Sequence, residues 1–432
     1  MDAEALTVLR GSVRVPTSKP HTQRALLMAA LADGESTIRR PNVCSESTLV
    51  QEAATALGSR FEAQGEQLVV RGVAGRPQRP AALLQVAGSG FALRHLLPIA
   101  ALAPAPCVLS GSRQLAARPL QPLLDALAGL GGRAEPADRD LVLPIATWST
   151  GLTGGRLDVP ADETSQFVSA LMLTAPYAAG PVRIGIPGVL VSKHYIRMTG
   201  EMMARFGAHV MVADDLRTIE VEPSGYRATK ILVGPDVTSL FYFVAAAVVA
   251  DADILVEDVE LGEDLFLDSA VALGRRLGVR ITQEGTNLRI RSGERPAEQV
   301  EIDASDLPTL VPALAAVASS LPHGMVLQGA RHIHHHKTSR LQVVLDELAR
   351  LGRVLRPHYR DGQLDGFETD CVEPAAAEQV DAQGDHRNFM ALFLATLAVE
   401  RPVHVLGANT LSTSFADFLT CFQTLTTTPA RV

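Results

Sequence analysis

The sequence contains little cysteine. Only four cysteines occur among the 432 residues, and no two of them form a CxxC pair. Disulfide frameworks and structural zinc sites need paired or densely spaced cysteines, so neither can be the basis of this fold. Cys44, Cys107, Cys371 and Cys421 are predicted to be buried or free thiols.

The chain also lacks an excess of positive charge and any long apolar run. Its formal net charge is −8, which argues against a general nucleic-acid-binding protein. The apolar helical segments are too short to span a bilayer, and no secretory or transit segment precedes the first strand. We therefore expect a soluble cytoplasmic protein without nucleic-acid or membrane partners, long enough for two domains.

One sequence pattern occurs six times along the chain. It is clearest at residues 157–184, where a short strand, a polar turn, an apolar helix and a second strand follow one another. The helix is apolar on nearly every face, which is typical of a buried helix. Copies start roughly 70 to 80 residues apart, as in a repeat architecture. The other five copies are at residues 13–38, 84–109, 231–256, 300–327 and 380–405.

A second pattern, an amphipathic helix followed by a β-hairpin, separates the copies. It occurs at residues 48–71, 119–143, 195–221, 268–290 and 339–367. The two patterns together predict an α/β chain of six βαβαββ repeats, the last of which lacks its closing strands. If the strand at residues 6–16 completes that last repeat, the chain begins and ends in one domain. This predicts domain I at 1–16 plus 230–432 and domain II at 17–229, with three repeats in each.

The turn before each apolar helix is rich in Ser, Thr, Asp and Gly. These residues cap helix starts, where free backbone N–H groups and the positive end of the helix dipole favour anions. Six such starts facing one gap would form a strong anion-binding site. The sequence therefore predicts anionic ligands.

Six motifs carry a family resemblance. They are SKPHTQRALLMAALADG, SQFVSALMLTAPYA, SKHYIRMT, KTSRL, GDHRNFMA and SFADF. In this order and spacing they resemble the EPSP synthase (3-phosphoshikimate 1-carboxyvinyltransferase) family of enolpyruvyl transferases, over essentially the whole chain. The resemblance implies a two-domain inverse α/β barrel with the active site in the cleft between the domains. It also implies enolpyruvyl transfer from phosphoenolpyruvate to shikimate 3-phosphate without a cofactor, and we expect a monomer.

The resemblance also assigns residues to the two substrates. The residues matching acceptor contacts are Lys19, Arg24, Thr164, Ser165, Gln166, Ser192, Tyr195 and, in place of a family lysine, His336. The residues matching phosphoenolpyruvate contacts are Gly90, Arg118, Arg340 and Arg387. Lys19, Lys337 and His386 are the candidate catalytic residues. Paired guanidinium N–H groups suit the carboxylate and the phosphate of such substrates.

The chain departs from the family where protons are handled. Thr309 stands where the family has an Asp, and Lys337 stands where it has a Glu. Enolpyruvyl transfer needs a proton delivered to carbon and one removed from oxygen. Further replacements are Pro20, Gly88, Phe91, His332, His336 and Thr413.

The departures leave several interpretations open. Altered proton handling could rely on Lys337 and His386, because neighbouring arginines should lower the pKa of Lys337. Elimination of phosphate from shikimate 3-phosphate, without phosphoenolpyruvate, could use neutral Lys337 or a histidine as the base. A non-catalytic binder is a third interpretation, whereas drift to an inactive paralogue should have eroded the arginines. On a strand, His332, His334 and His336 would share one face, but no acidic residue or cysteine lies near enough to complete a metal site, and none is predicted.

Overall fold

The computed structural model describes residues 8–138, 140–149, 151–262, 264–335, 339–373, 377–399 and 401–426. None of the helices in these residues combines the length and apolar character that a membrane crossing requires. The four cysteines are free thiols, as predicted, and Cys44 and Cys107 are buried. The α-helices are α1 (Lys19–Leu31), α2 (Ser45–Ala56), α3 (Gly90–Ala100), α4 (Arg113–Ala116), α5 (Gln121–Gly129), α6 (Gln166–Thr174), α7 (His194–Arg205), α8 (Val237–Val249), α9 (Leu265–Arg276), α10 (Val311–Ala318), α11 (Arg340–Arg350), α12 (His386–Thr396) and α13 (Phe418–Thr426).

The strands follow the predicted repeat order. They are β1 (Val8–Val13), β2 (Glu35–Arg39), β3 (Arg60–Gln64), β4 (Gln67–Arg71), β5 (Leu84–Ala87), β6 (Cys107–Gly111), β7 (Arg133–Pro136), β8 (Ile145–Trp148), β9 (Gly155–Asp158), β10 (Val182–Gly185), β11 (Val210–Val212), β12 (Thr218–Val221), β13 (Lys230–Leu232), β14 (Asp251–Val256), β15 (Val279–Glu284), β16 (Asn287–Ser292), β17 (Val300–Asp303), β18 (Met325–Gln328), β19 (Arg353–Arg360), β20 (Gln363–Val372), β21 (Gln379–Asp381) and β22 (His404–Leu406). Short 3-10 helices occur at Ala175–Tyr177, Arg331–His335 and Ala408–Thr413.

The chain divides into two compact domains. Domain II is Thr17–Gly234, and domain I is Met1–Pro16 with Pro235–Val432. Domain II contains three four-stranded sheets, with strand orders β13-β2-β4-β3, β5-β6-β8-β7 and β9-β10-β12-β11. In each sheet the first two strands are parallel and the hairpin adds two antiparallel strands. Helices α1, α3 and α6 supply much of its buried core.

Domain I is built in the same way. Its sheets have the orders β1-β14-β16-β15, β17-β18-β20-β19 and β21-β22. Helix α8 is buried at every position except its last, because it carries no charged side chain that would require water. Helices α8, α10 and α12 form the centre of the core. Each domain thus has apolar helices inside and sheets with one buried face outside, as the repeated pattern predicts.

The pairing of the crossing strands corrects the sequence interpretation. Strand β1 does not complete the sixth repeat, for which the described residues up to 426 show no hairpin. It instead lies parallel to β14 of the fourth repeat. Strand β13 lies parallel to β2 of the first repeat. Domain II therefore extends to Gly234 rather than to residue 229, because Lys230–Leu232 supplies an edge strand of its first sheet. The sequence offered no way to choose between these parallel partners.

Candidate active site

Lys19 lies at the start of α1 in domain II. Ser18 caps this helix, since its Oγ accepts from the backbone N–H of His21 at 3.4 Å. Lys19 Nζ donates to Glu46 Oε2 at 2.8 Å, and the two side chains are only 13% and 17% exposed. Glu46 belongs to the first turn of α2, where the helix dipole favours a negative charge. The sequence identified Lys19 but not this partner.

Arg24 is a buried cation, only 1% exposed. Its Nε donates to Thr199 Oγ1 at 2.8 Å, and its Nη1 donates to the Pro20 carbonyl at 3.2 Å. The guanidinium carbon lies 5.4 Å from the centre of the Phe91 ring and 5.3 Å from that of Tyr195. Burial lowers the pKa of Arg24 to about 10, although Tyr195 raises it, so Arg24 is charged at neutral pH. Within the described residues, no carboxylate forms an ion pair with it.

Thr164, Ser165 and Gln166, three predicted acceptor contacts, lie with Ser192 at the start of α6. Ser165 Oγ donates to the Ser192 carbonyl at 3.2 Å, and both residues are buried. Thr164 Oγ1 accepts from the backbone N–H of Gln166 at 3.2 Å. Gln166 Oε1 accepts from Arg94 Nη1 at 2.9 Å. Ser192 has a φ of 56°, a left-handed conformation that is uncommon for serine. The structure therefore brings together residues that the resemblance assigned to the acceptor.

Two arginines surround Gly90 at the start of α3. A Cβ on Gly90 would lie 3.1 Å from Arg94 Nη1 and 3.2 Å from Arg118 Nη1. Burial and the charge of Arg118 lower the pKa of Arg94 to about 10, and Glu163 raises it. Ser89 caps the helix through the N–H of Ala92. Two guanidinium groups and a helix start thus converge at Gly90, where even one added carbon would press against both guanidinium groups.

In domain I, Arg340 and Asp385 form a buried ion pair. Arg340 Nε and Nη2 both donate to Asp385 Oδ2, at 3.0 and 2.7 Å, and the side chains are 6% and 0% exposed. Asp385 Oδ1 also caps α12 by accepting from the N–H groups of Arg387 and Asn388. Burial alone would raise the pKa of Asp385, but Arg340, the charge of His386 and these hydrogen bonds hold it well below its usual range.

Thr309 occupies a buried neutral site. Its Oγ1 accepts a hydrogen bond from Thr238 Oγ1 at 2.9 Å. Arg387 Nη1 donates to the Thr309 carbonyl at 3.3 Å, and Tyr242 Oη donates to the Arg387 carbonyl at 3.0 Å. The backbone carbonyl of Thr309 thus accepts from the guanidinium of Arg387, while the Thr309 side chain offers a hydroxyl and no negative charge.

The histidine run is not a strand. Arg331–His335 forms a 3-10 helix, so the strand on which alternate histidines would share one face does not form there. Burial lowers the pKa of His332 to about 4, against the opposing effect of Asp306. In the part of the chain that the structure describes, no three His, Cys, Asp or Glu side chains cluster as a metal site would require. His336 and Lys337 lie outside the described residues.

The helix starts are less uniform than the sequence suggested. Ser18 and Ser89 cap α1 and α3 with neutral hydroxyls, whereas Asp236 and Asp385 cap α8 and α12 with carboxylates. A carboxylate at a helix start already meets the free N–H groups and the dipole. These two starts of domain I therefore hold an anion of the chain itself. His386, a predicted catalytic residue, is buried as the first residue of α12.

Sequence reasoning missed four residues that fix the predicted ones. Asp385 could have been found, because an Asp directly before an apolar helical pattern is an N-cap signal. Glu46, Thr199 and His95 carry no such signal. His95 is buried, and its Nδ1 and Nε2 lie 3.0 Å from the Phe91 carbonyl and 3.2 Å from Ser169 Oγ.

Comparisons with known proteins agree over most of the chain. The family model of EPSP synthase (3-phosphoshikimate 1-carboxyvinyltransferase) matches residues 4–422. A 3-phosphoshikimate 1-carboxyvinyltransferase of Methanothermobacter thermautotrophicus is 32% identical over 415 residues, covering 95% of this chain and 94% of that protein. The enzyme of the same name from Syntrophobacter fumaroxidans is 32% identical over 426 residues, covering 98% of each chain.

Solved structures agree on the architecture. EPSP synthase from Acinetobacter baumannii superposes with a TM-score of 0.78 at 21% identity, covering 96% of each chain. The enolpyruvyl transferase NikO from Streptomyces tendae gives a TM-score of 0.75 at 19% identity, covering 96% of this chain and 95% of that one. At these identities the likeness concerns the fold, and it confirms the predicted two-domain inverse α/β barrel.

Proposed function

Because this chain belongs to the EPSP synthase (3-phosphoshikimate 1-carboxyvinyltransferase) family, we propose that it transfers the enolpyruvyl group of phosphoenolpyruvate to shikimate 3-phosphate or a close cyclitol phosphate. Proton handling differs from the family pattern in this proposal. The observation that carries it is Arg24, a buried guanidinium with two neutral hydrogen-bond acceptors and no carboxylate partner among the described residues. A buried cation without a counter-charge is costly unless an anion binds beside it.

The acceptor is assigned to domain II. Arg24 supplies charge, and Lys19 supplies a second cation that Glu46 holds at 2.8 Å. Thr164, Ser165, Gln166 and Ser192 supply hydroxyl, amide and backbone groups at the start of α6, which suit a sugar-type phosphate. Tyr195 contributes a ring to Arg24.

Phosphoenolpyruvate is assigned to arginines. Arg118, beside Gly90 and Arg94, is assigned to one of its anionic groups. Arg387, in domain I, is also assigned to an anionic group of phosphoenolpyruvate. Arg340 is also assigned to phosphoenolpyruvate, with Asp385 fixing its orientation through hydrogen bonds from Nε and Nη2.

Proton handling is assigned to cationic and imidazole groups. In the transfer, a hydroxyl of the acceptor loses its proton as its oxygen bonds to C2 of phosphoenolpyruvate, and the methylene carbon of phosphoenolpyruvate gains a proton. Loss of phosphate, with removal of a proton from the resulting methyl group, then restores the double bond. Thr309 offers a hydroxyl that already accepts from Thr238, so it supplies no carboxylate base. We therefore assign these proton transfers to Lys337 and His386, with Lys19 near the reacting groups.

Lys337→Arg tests the first of these assignments. Arginine keeps the positive charge but does not readily release a proton, so the variant is expected to bind shikimate 3-phosphate normally and to lose turnover by the roughly 10²–10⁴-fold typical of general acid–base catalysis. Turnover is followed by phosphate release, and binding by calorimetry. A variant that turns over at the normal rate would make Lys337 an anion contact and leave His386 or His336 as the proton carrier.

A product assay tests the function itself. The protein is mixed with shikimate 3-phosphate, with and without phosphoenolpyruvate, and products are identified by mass. A product carrying an added carboxyvinyl group, formed only with both substrates, is expected. A phosphate-free product from shikimate 3-phosphate alone would indicate elimination, the second candidate function. That candidate is motivated by Thr309, which places a neutral hydroxyl where the family has a carboxylate. Binding without any product would favour a non-catalytic binder.

A further inference from the structure

Four side chains of domain II form a chain of ring contacts. The Arg24 guanidinium lies over the rings of Tyr195 and Phe91, at 5.3 and 5.4 Å. The Phe91 ring stacks on the His95 ring, with centroids 3.8 Å apart and an angle of 19° between the planes. Tyr195 belongs to α7, Arg24 to α1, and Phe91 and His95 to α3. Three helices therefore meet through one guanidinium and its aromatic neighbours.

Phe91 is held firmly in this chain of contacts. It is 9% exposed, and His95 behind it is 0% exposed. His95 Nδ1 lies 3.0 Å from the Phe91 carbonyl, and Nε2 lies 3.2 Å from Ser169 Oγ. Burial, reinforced by the charge of Arg24, lowers the pKa of His95 well below its usual value. The imidazole is therefore neutral and does not repel Arg24.

The hydrogen bonds of Arg24 limit how a ligand can approach. Its Nε donates to Thr199, and one N–H of Nη1 donates to the Pro20 carbonyl. A guanidinium has five N–H groups in one plane, so the other Nη1 hydrogen and both Nη2 hydrogens remain. Both Nη1 and Nη2 therefore keep at least one N–H group. Guanidinium N–H groups match the oxygens of a carboxylate.

We propose that Phe91 is a positioning residue that holds the Arg24 guanidinium in place and makes the acceptor site select a ring bearing a carboxylate. This assignment rests on the proposed function and adds a specificity determinant to it. The aromatic ring stabilises the cation through its face and fills the space into which the guanidinium would otherwise turn. Without the ring, the hydrogen bonds to Thr199 and Pro20 remain, but the aromatic face that holds the other N–H groups in place is lost.

Variants at Phe91 separate the effect of the aromatic face on Arg24 from the effect of side-chain volume. Phe91→Leu and Phe91→Met remove the aromatic face, and Phe91→Tyr keeps it. Phe206→Leu is the matched control, because Phe206 is fully buried in the same domain and its ring contacts Tyr226 rather than Arg24. Calorimetry measures the affinity for shikimate 3-phosphate and for its analogue with a hydroxymethyl group in place of the carboxylate. Steady-state kinetics separate KM for each substrate from kcat.

Phe91→Leu and Phe91→Met are expected to weaken binding of shikimate 3-phosphate about tenfold, the scale of a desolvated cation–π contact. They should bind the hydroxymethyl analogue nearly as the wild type does, so the preference for the carboxylate falls by the same factor. KM for phosphoenolpyruvate should stay constant, and Phe91→Tyr and Phe206→Leu should keep the wild-type preference.

Two results would overturn the assignment. Either folded ring-free variant retaining the full carboxylate preference would show that Phe91 does not set it. An equal loss in Phe206→Leu would show a general packing effect. If the wild type binds neither ligand, the proposed function itself is wrong and the role of Phe91 falls with it.

Discussion

Replacing Arg24 by alanine is expected to weaken the binding of shikimate 3-phosphate by ~1.5–3 kcal/mol, the range for hydrogen bonds to charged groups. Arg24 is buried and has no carboxylate partner among the described residues, so an anionic ligand supplies the counter-charge that the chain does not. Calorimetry with the wild type and the variant measures the difference.

Two further variants make this measurement specific. Arg205→Ala removes an exposed arginine at the end of α7, and its affinity should equal that of the wild type. Arg24→Lys keeps a charge but lacks the planar pair of N–H groups, so it should bind between the alanine variant and the wild type. Unchanged affinity in Arg24→Ala would remove Arg24 from the acceptor site.

Asp385→Asn is expected to lower the free energy of unfolding by about 3–5 kcal/mol, because it removes the carboxylate that pairs with the buried Arg340. Asparagine is as good a helix cap as aspartate, so the loss reports the charge and not the cap. Asp264→Asn is the matched control. Asp264 caps α9 through the N–H groups of Phe266 and Leu267, and its replacement should cost less than about 1 kcal/mol. Urea unfolding measures both, and equal losses would contradict a stabilising ion pair.

The same pair predicts a pH dependence. The pKa of Asp385 is lower in the folded protein than the ordinary value of 3.8, so the unfolded chain takes up the proton first. Its contribution to stability is therefore complete only well above pH 3.8 and is lost progressively as the pH falls from about 5. Below about pH 5 the wild type should lose stability more steeply than Asp385→Asn. Parallel profiles for the two proteins would show that Asp385 is not held ionised by the fold.

The repeated architecture could be predicted because its signals are local. An apolar helix such as α8 and the alternation in the strands around it follow from residues adjacent in sequence. The partner of β1 could not be predicted, because β1 pairs with β14 more than 200 residues away. Both candidate sheets accept a short parallel strand, and the sequence of β1 does not distinguish them.

The candidate site likewise has parts that the sequence could predict and parts that it could not. Lys19, Arg24 and Ser165 could be proposed as site residues because they lie in motifs that resemble those of the family, each at the start of an apolar helix. The pairings could not be predicted, because the partners lie far along the chain: Arg24 meets Thr199 across 175 residues, and the ion pair of Arg340 with Asp385 spans 45. Distant contacts decide whether a charge is compensated, and local patterns do not report them.

Strands β1 and β13 are exchanged between the first and fourth repeats, so domain II is one continuous segment of the chain whose two ends lie together. Its two ends meet, since the Ser18 N–H donates to the Gly234 carbonyl at 2.8 Å, and the ends of domain I meet likewise, since the Asp236 N–H donates to the Pro16 carbonyl at 2.8 Å. No sheet contains strands from both domains among the described residues. If the chain were cut at this junction and the ends rejoined within either domain, every hydrogen bond between paired strands would be kept. The topology therefore permits circular permutation, and it permits the two domains to be separated into independent chains.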